Sequence, residues 1–460
     1  MTGAALNAMH PLGQAARERG TFWLHPARLV ALGLGILITV GTGLLMLPVA
    51  TAGPGGASFR TALFTSASAS CVTGLVVVDT GTYWSGFGQV VILSLMQIGG
   101  LGVMASASLL AVLIAGRMGL RSRLVAEYET GLVGSGTVRR VLGGTVAVAV
   151  VVEVAVLAVL AGRLWLTEGY GAGRALWFGT FHAVSAFNSG GFSLWPDNLR
   201  SFADDPWITV PIMMAFVLGA LGFVVVYEIV RVRPVRAWSI HTKLTLAVTA
   251  FLSTAGPLLI MANEWNRTAT LGRLGVAHRA LGGMFAGLTP RSAGFSTFDY
   301  SQADPATLLF TDILMFIGGG SGSTAGGIKA STFAVLTMAV VAEARGSRDV
   351  DVLGRRVSPT TVRQSIAVVF VMSGALLAST LALLRISELP LDDVLFEVTS
   401  ALGTVGLTTG ITPHLPVAGQ YLLVLLMFVG RIGPVALVTA LALRVEYRSY
   451  RNPEGRPMIG

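Results

Sequence analysis

Long apolar segments separated by polar loops dominate the pattern of hydrophobic and polar positions along the chain. A helix of about 20 apolar residues spans the hydrocarbon core of a bilayer, so each such segment is predicted to cross a membrane. The eight predicted spans are Leu29–Ala50, Phe87–Ala115, Val141–Leu166, Trp207–Val230, Leu244–Ala262, Thr307–Ala342, Ser365–Leu384 and Val417–Leu443. Each successive pair of spans encloses a half-apolar segment, which is too short and too polar to cross and is predicted to be a re-entrant half-helix. These segments are Phe59–Cys71, Ala175–Asn188, Leu274–Pro290 and Asp393–Gly403.

The half-helices share a sequence pattern: Phe, three residues, Ser-Ala, four residues, Gly. The matching sets are Phe64–Ser68–Ala69–Gly74, Phe181–Ser185–Ala186–Gly191 and Phe396–Ser400–Ala401–Gly406, and a degenerate set is Met284–Leu288–Thr289–Gly294. A glycine-rich point follows in the next span of each copy, at Gly99, Gly219, Gly318 and Gly430. Copies with the same topology predict a pseudo-fourfold axis along the membrane normal, and repeat interfaces in transporters usually hold the ion or substrate site.

The repeat divides the chain into four units of an all-α integral membrane fold, with eight transmembrane helices and four re-entrant pore loops. We expect residues 1–115 to hold a cytoplasmic tail and repeat one, 116–230 repeat two, 231–343 repeat three with a broken second span, and 344–460 repeat four with a cytoplasmic C-terminus. The composition agrees, since 53% of residues are hydrophobic and 12% are charged, against about 25% charged residues in soluble domains.

Basic residues concentrate near both ends and in the loops after spans two, four and six. The positive-inside rule therefore places both termini in the cytoplasm. The same loops account for the net charge of +9, so no nucleic-acid partner is needed to explain it.

The sixth span is interrupted by a run of small residues. Glycine costs about 1 kcal/mol in a helix interior, and irregular backbone at membrane depth is tolerated where it is buried in protein or lines a water-filled cavity. We therefore predict a broken helix that acts as a gate beside an aqueous path, formed by Gly318, Gly319, Gly320, Ser321, Gly322, Ser323, Thr324, Ala325, Gly326, Gly327 and Lys329. A phosphate-binding loop is excluded because Ile328 and Ala330 flank the lysine, where that motif needs Gly-Lys-Ser/Thr.

Each half-helix is followed by a short turn that ends on the glycine of the repeat. A ring of backbone carbonyls can replace the water shell of an alkali cation, and glycine gives the backbone freedom that this geometry needs. The predicted selectivity filter is Val72, Thr73, Gly74, Ser189, Gly190, Gly191, Ser292, Ala293, Gly294, Thr404, Val405 and Gly406. The alternative is that these are re-entrant turns whose glycines serve packing only. Asp79, Asp197 and Asp299 follow the filter and either concentrate cations at its mouth or are solvated loop residues.

Several ionisable residues are predicted at membrane depth. Arg431 lies in the eighth span, where an arginine costs at least about 2.5 kcal/mol on insertion scales. It either raises the barrier to a passing cation or clamps loop carbonyls or a carboxylate. Glu153, His182, Asp312 and Glu397 are also intramembrane, and we interpret them as packed pairs or helix-end groups rather than ion ligands.

Four stretches resemble the Trk/Ktr/HKT superfamily of potassium transporters, and most of all its bacterial Ktr-type membrane subunit. They are the segments around Asn188–Ser193, Arg291–Thr297, Gly320–Lys329 and Gly430–Val435. The resemblance implies one potassium pore per chain in the bacterial plasma membrane, with the filter and gate residues above and Arg431 as a pore arginine. Gly190 stands where the family more often has alanine.

The resemblance also implies a homodimer with a cytoplasmic ring of nucleotide-binding regulatory subunits, among membrane lipids. Potassium in the pore is then the bound ion, sodium is a candidate activator, and no covalent cofactor is expected.

The leading functional hypothesis is potassium uptake through a selective, gated single-chain pore. A second class is an alternating-access transporter of another cation or a small solute, which needs broken helices in paired halves, and only span six carries a strong sequence break. An enzyme is disfavoured because no catalytic triad, metal cluster or paired carboxylates occur at membrane depth.

Overall fold

The computed structural model describes residues 26–116, 135–231 and 234–443, and within them the side chains of 28–102, 143–230 and 234–433. The predicted N-terminal tail, most of the basic loop 117–140 and the C-terminal segment 444–460 lie outside the described residues.

The regular secondary structure of the described residues is helical, apart from one short hairpin. The helices are α1 Pro26–Leu45, α2 Phe59–Ser70, α3 Thr80–Tyr83, α4 Gly86–Gly116, α5 Ser135–Leu166, α6 Ala172–Phe187, α7 Pro206–Leu221, α8 Phe223–Arg231, α9 Ile240–Glu264, α10 Val276–Leu288, α11 Pro305–Phe316, α12 Ala330–Ala344, α13 Pro359–Ser387, α14 Leu391–Gly403 and α15 Val417–Leu443. Strands β1 Asp351–Val352 and β2 Arg355–Arg356 pair antiparallel between α12 and α13. Short 3₁₀ turns lie at Pro48–Ala50, Arg200–Phe202, Val235–Ala237, Leu271–Arg273, Tyr300–Gln302 and Thr412–His414.

Several helices suit a bilayer by length and composition. Among the described residues, those long and apolar enough to cross are Arg28–Leu45, Gly143–Leu166, Ile240–Glu264 and Pro359–Ser387, and the bent pair α7–α8 makes a fifth. Shorter apolar helices are Gly86–Gly102, Pro305–Phe316, Ala330–Ala344 and Val417–Gly433. The chain is therefore a multi-pass helical membrane protein, as the sequence predicts.

The half-helices pack inside the bundle. Helix α2 packs against α1 and α4, α6 against α5 and α7, α10 against α9, and α14 against α13 and α15. The phenylalanine of the repeat is buried in each: Phe64, Phe181 and Phe396 are at most 1% exposed. In the third copy the aligned Met284 is 45% exposed and its neighbour Phe285 is fully buried, so Phe285 takes the place of the repeat phenylalanine, one residue closer to the glycine.

Span six is broken where the sequence predicts, since α11 ends at Phe316 and α12 begins at Ala330. The expectation that span six is the only strong break is wrong. Span four, predicted to be continuous over Trp207–Val230, bends by 99° between α7 and α8. Gly222 lies at the bend with φ +90°, and a Cβ there would lie 2.9 Å from the carbonyl oxygen of Ser321. Only glycine suits this close approach, but one glycine in an apolar run is a weak sequence signal.

Candidate ion pathway

The ends of the four half-helices meet in a closed ring at the centre of the molecule. A Cβ placed on Gly74 would lie 2.6 Å from the carbonyl oxygen of Gly190, and one on Gly191 would lie 2.9 Å from the Cα of Gly294. A Cβ on Gly294 would lie 2.5 Å from the carbonyl oxygen of Val405. The fourth segment contacts the first and so closes the ring: a Cβ on Gly406 would overlap the carbonyl oxygen of Thr73. Each repeat glycine therefore lies where the neighbouring segment leaves no room for a side chain.

The backbone of the ring is unusual in the same way in each copy. Val72, Ser189, Ser292 and Thr404 have φ of +55°, +60°, +81° and +47°, and the glycines two residues later have φ of +97°, +67°, +74° and +95°. Non-glycine residues seldom adopt positive φ, and such strain persists only where the surrounding structure enforces it. All twelve predicted filter residues are buried, so the structure brings this set together.

A hydroxyl in each half-helix ties the turn to its helix. Ser68 and Ser400 accept hydrogen bonds from the backbone N–H of Gly74 and Gly406, at 3.1 and 3.0 Å. In the other two copies the hydroxyl donates to a carbonyl just after the glycine: Ser185 to Phe192 at 2.9 Å and Thr289 to Phe295 at 2.6 Å. These hydrogen bonds give the serine of the sequence pattern a structural role.

The glycine of the second span lets that span approach the half-helix. A Cβ on Gly99, Gly219 or Gly430 would overlap the carbonyl oxygen of Ser70, Phe187 or Leu402 respectively. Each of these carbonyls lies at the C-terminal end of a half-helix. In repeat three a Cβ on Gly318 would instead overlap the carbonyl oxygen of Gly326, because the irregular loop has replaced that contact.

The loop between α11 and α12 lies directly against the ring. The Ser189 hydroxyl is 3.0 Å from the Thr324 hydroxyl. The Ser292 hydroxyl accepts from the backbone N–H of Gly326 at 3.1 Å and donates to the carbonyl oxygen of Thr404 at 2.8 Å. The loop thus contacts the positive-φ residues of the second and third segments by hydrogen bonds.

The same loop is held by the break in span four. The backbone N–H of Gly320 donates to the carbonyl of Ala220 at 2.8 Å, and that of Thr324 to the carbonyl of Gly219 at 3.3 Å. In return, the N–H of Phe223 donates to the carbonyl of Gly322 at 3.4 Å. The two helix breaks therefore satisfy one another's free backbone groups.

Two cations of the predicted gate bind loop carbonyls. Lys329 Nζ donates to the carbonyl of Ala325 at 2.6 Å. Arg431, only 3% exposed, donates to the carbonyl of Thr324 and, at 3.4 Å, to that of Gly99. Arg431 therefore makes the carbonyl contacts that one of the two sequence interpretations requires.

The acidic residues beyond the ring have defined partners. Asp79 accepts from the N–H of Thr82 at 2.7 Å as a helix cap, Asp197 accepts from the N–H of Ser201 at 2.8 Å, and Asp299 pairs with Arg200 at 2.7 Å. These contacts give the carboxylates a structural role in the loops that follow the ring, and a role in concentrating cations stays a prediction.

Of the four other ionisable groups predicted at membrane depth, three have hydrogen-bond partners in the structure. His182 contacts the carbonyl of Phe178 at 2.7 Å and the Ser193 hydroxyl at 3.1 Å. Glu397 accepts hydrogen bonds from the hydroxyls of Thr408 and Thr412. Glu153 accepts from two amides, described below, and Asp312 is buried in α11. In the described part of the chain, no group of three or more His, Cys, Asp and Glu residues could hold a metal ion.

The sequence did not predict the bend at Gly222, the hydroxyl anchors or the contacts of Asn188. The repeated serine was visible in the sequence pattern, but its partner six or seven residues later was not. The contacts of Asn188 cross between repeats and leave no local signal.

Multi-pass helices around a closed ring of half-helix ends define a helical membrane protein with one central site. The model of the TrkH family, described as cation transport protein, matches residues 55–450. Ktr system potassium uptake protein B of Bacillus subtilis is 38% identical over 440 residues, covering 95% of this chain and 97% of the relative. The protein of the same name in Vibrio alginolyticus is 37% identical, with 93% of each chain covered. Potassium/sodium uptake protein NtpJ of Enterococcus hirae is 33% identical, with 95% and 98% covered.

A solved structure has the same fold. The potassium transporter TrkH from Vibrio parahaemolyticus superposes with a TM-score of 0.68 at 18% identity, over 91% of this chain and 84% of that one. This chain belongs to the TrkH family of cation transport proteins. The resemblance found in the sequence is therefore confirmed, as is the expectation that the chain is a transporter and not an enzyme.

Proposed function

We propose that this chain takes up potassium across the bacterial plasma membrane through a selective, gated pore formed by one polypeptide. The observation that carries the proposal is the closed ring of four buried turns with positive φ at matching residues. The relatives named for potassium uptake, which match the chain almost from end to end, support the choice of ion.

The filter works through backbone carbonyls at the ring. Positive φ at alternate residues turns successive carbonyls toward one side of the chain, and four such turns surround an axis. Carbonyl oxygens there replace the hydration shell of potassium, and the C-terminal dipole ends of the half-helices add negative potential. Val72–Gly74, Ser189–Gly191, Ser292–Gly294 and Thr404–Gly406 are the proposed ligands.

The membrane layout has eight spans in four repeats, with boundaries at 1–115, 116–230, 231–343 and 344–460 and both termini in the cytoplasm. The described long helices, the bent pair and the shorter apolar helices support this layout. Accessibility of single cysteines introduced into the hairpin loop at Leu353 and into the outer loop at Asp204 tests it: the two must label from opposite sides.

The gate is the loop Gly318–Lys329 together with Arg431. The loop is hydrogen-bonded to Ser189 and Ser292, and its Thr324 carbonyl accepts from Arg431. These contacts support a closed state in which the loop blocks the cytoplasmic side of the ring. Opening breaks these contacts and moves the loop aside.

An alternating-access transporter is the second candidate. The break in span four adds to that in span six, so broken helices now occur in two repeats. Alternating access uses such breaks at a single central site. Recordings from single vesicles at several potassium concentrations give the number of ions transported per second. This number separates the candidates, because a pore carries far more ions per second than a transporter that cycles.

The Ktr system of the relatives supports a partnership with a regulatory subunit. We propose a homodimer bound to a cytoplasmic ring of nucleotide-binding subunits, with lipids around it and sodium as a candidate activator. Co-purification from the native membrane tests the partner, and a chain that elutes alone contradicts it.

Uptake by proteoliposomes tests the function itself. Vesicles that contain the purified chain are expected to take up potassium and to exclude organic solutes of similar size. Absence of potassium uptake, with the protein correctly reconstituted and its cytoplasmic partner added, would overturn the proposal.

A further inference from the structure

Three polar side chains from two repeats form a closed hydrogen-bonded triangle beside the ring. Asn188 Nδ2 donates to Gln97 Oε1 at 2.6 Å and to Glu153 Oε1 at 3.2 Å, and Gln97 Nε2 donates to Glu153 Oε2 at 3.1 Å. Asn188 is fully buried and Glu153 is 8% exposed. Ionisable groups inside a membrane cost free energy and as a rule have a function, so we expect the triangle that contains Glu153 to have one.

The triangle fixes a residue of the predicted filter. Asn188 caps α6 and directly precedes Ser189, whose φ is +60°. Such a backbone conformation persists only where the surroundings enforce it. Asn188 Nδ2 also lies 3.0 Å from the carbonyl oxygen of Val184, so its two hydrogens are shared among three acceptors. The side chain is therefore held to its own half-helix, to α4 and to α5 at once.

The amide of Asn188 packs closely against Gly100 of α4. A Cβ on Gly100 would lie 2.8 Å from Asn188 Cγ, so a side chain at this point of α4 would displace the amide. The residues at the matching position of the other segments are Cys71, Arg291 and Gly403. The triangle is thus a feature of the second segment and breaks the fourfold equivalence of the ring.

We propose that Glu153, Gln97 and Asn188 are positioning residues that hold the second segment in its ion-binding conformation and thereby set the selectivity for potassium over sodium. The inference rests on the proposed function, because it takes Ser189–Gly191 as ligands of the transported ion. Two amides donate to one carboxylate, so the arrangement depends on an acceptor at position 153 with both oxygens available.

The test measures potassium and sodium uptake separately in proteoliposomes and compares their ratio. Glu153→Gln puts an amide donor against the donors of Gln97 and Asn188. Losing one hydrogen bond to a charged group corresponds to about a tenfold change in an equilibrium, so the ratio is expected to fall by about tenfold. Gly100→Ala displaces Asn188 while all three polar groups remain, and it is expected to lower the ratio as well.

Gln89→Leu is the matched control. Gln89 lies two turns earlier in α4, accepts from Trp177 Nε1 at 2.8 Å and donates to the carbonyls of Gly81 and Trp84. It bridges the same two repeats without touching a filter residue, so its loss should leave the ratio unchanged. Because each ratio is measured within one preparation, it does not depend on how much protein inserts.

The outcomes separate the two proposals. If the native chain carries no potassium, the proposed function fails. If it is potassium-selective and both Glu153→Gln and Gly100→Ala keep the native ratio, the positioning role is overturned. It is also overturned if Gln89→Leu lowers the ratio equally, since the effect is then general loosening. If the Glu153→Gln variant does not insert into the membrane, Gln97→Leu takes its place in the test. It removes the half-buried amide that bonds to both Glu153 and Asn188.

Discussion

At the scale of single residues, the ring is built from positions where side chains are excluded and positions where strain is enforced. The four glycines have no room for a Cβ, and the residues two before them hold positive φ with a side chain. The hydroxyls of Ser68, Ser185, Thr289 and Ser400 then fix each turn to its helix. Selectivity on this account is a property of backbone geometry held by local hydrogen bonds.

Gly294→Ser tests the exclusion of side chains. A Cβ there meets the carbonyl oxygen of Val405 and must displace it, so discrimination between potassium and sodium is expected to fall by at least about tenfold, the effect of roughly 1.4 kcal/mol. The ratio of the two uptake rates in proteoliposomes measures it.

Gly410→Ser is the control for this substitution. Gly410 has a similar φ of +92° but nothing within 4 Å of its Cβ position, so it carries the backbone strain without the collision. An unchanged ratio in Gly294→Ser, or an equal loss in both variants, would contradict the assignment of the ring as the filter.

Arg431→Gln tests the clamp on the gate. The guanidinium donates to the carbonyl of Thr324, and a hydrogen bond that involves a charged group contributes about 1.5–3 kcal/mol. Its loss is expected to favour the open state by about tenfold and to raise potassium flux without changing selectivity. Lower flux at equal reconstituted protein would indicate that Arg431 supports the pore instead of closing it.

At the scale of secondary-structure elements, the sequence predicts those elements that have a local or periodic pattern in the sequence. The half-helices, their repeated glycines and the break after Phe316 follow from apolar length, the repeat and the glycine run. The bend at Gly222 leaves no local signal, because Gly222 contacts the loop of another repeat, whose Ser321 carbonyl oxygen lies 2.9 Å from the position of a Cβ. The triangle around Asn188 is invisible for the same reason, since its partners lie far apart in the chain.

Deletion of Gly320–Gly326 tests the loop as the gate. A Cβ on Gly318 would lie 3.3 Å from the Cα of Gly327, so the two ends left by the deletion, Gly319 and Gly327, lie within one residue of an existing contact. Flux per reconstituted protein is expected to rise, and its dependence on a regulatory partner to weaken, while the potassium-to-sodium ratio is kept. The opposite result, reduced flux or expression, means that the loop only packs.

At the scale of the whole molecule, the four segments that carry the sequence pattern meet in one central ring. Copies one, two and four keep the contact between the second-span glycine and the half-helix, whereas copy three exchanges it for the loop. Copy two adds the bend at Gly222, which holds that loop. On the proposed function, the approximate fourfold arrangement serves the filter, and the departures from it in the second and third copies serve the gate.

The location of the bound ion tests the central claim most directly. Rubidium has nearly the chemistry of potassium and gives an anomalous X-ray signal, so crystals grown in rubidium reveal where the cation lies. The expected result is a peak on the axis of the ring, within coordination distance of backbone carbonyls from the segments that end at Gly74, Gly191, Gly294 and Gly406. A fully occupied peak elsewhere in the membrane region, with none inside the ring, would contradict it.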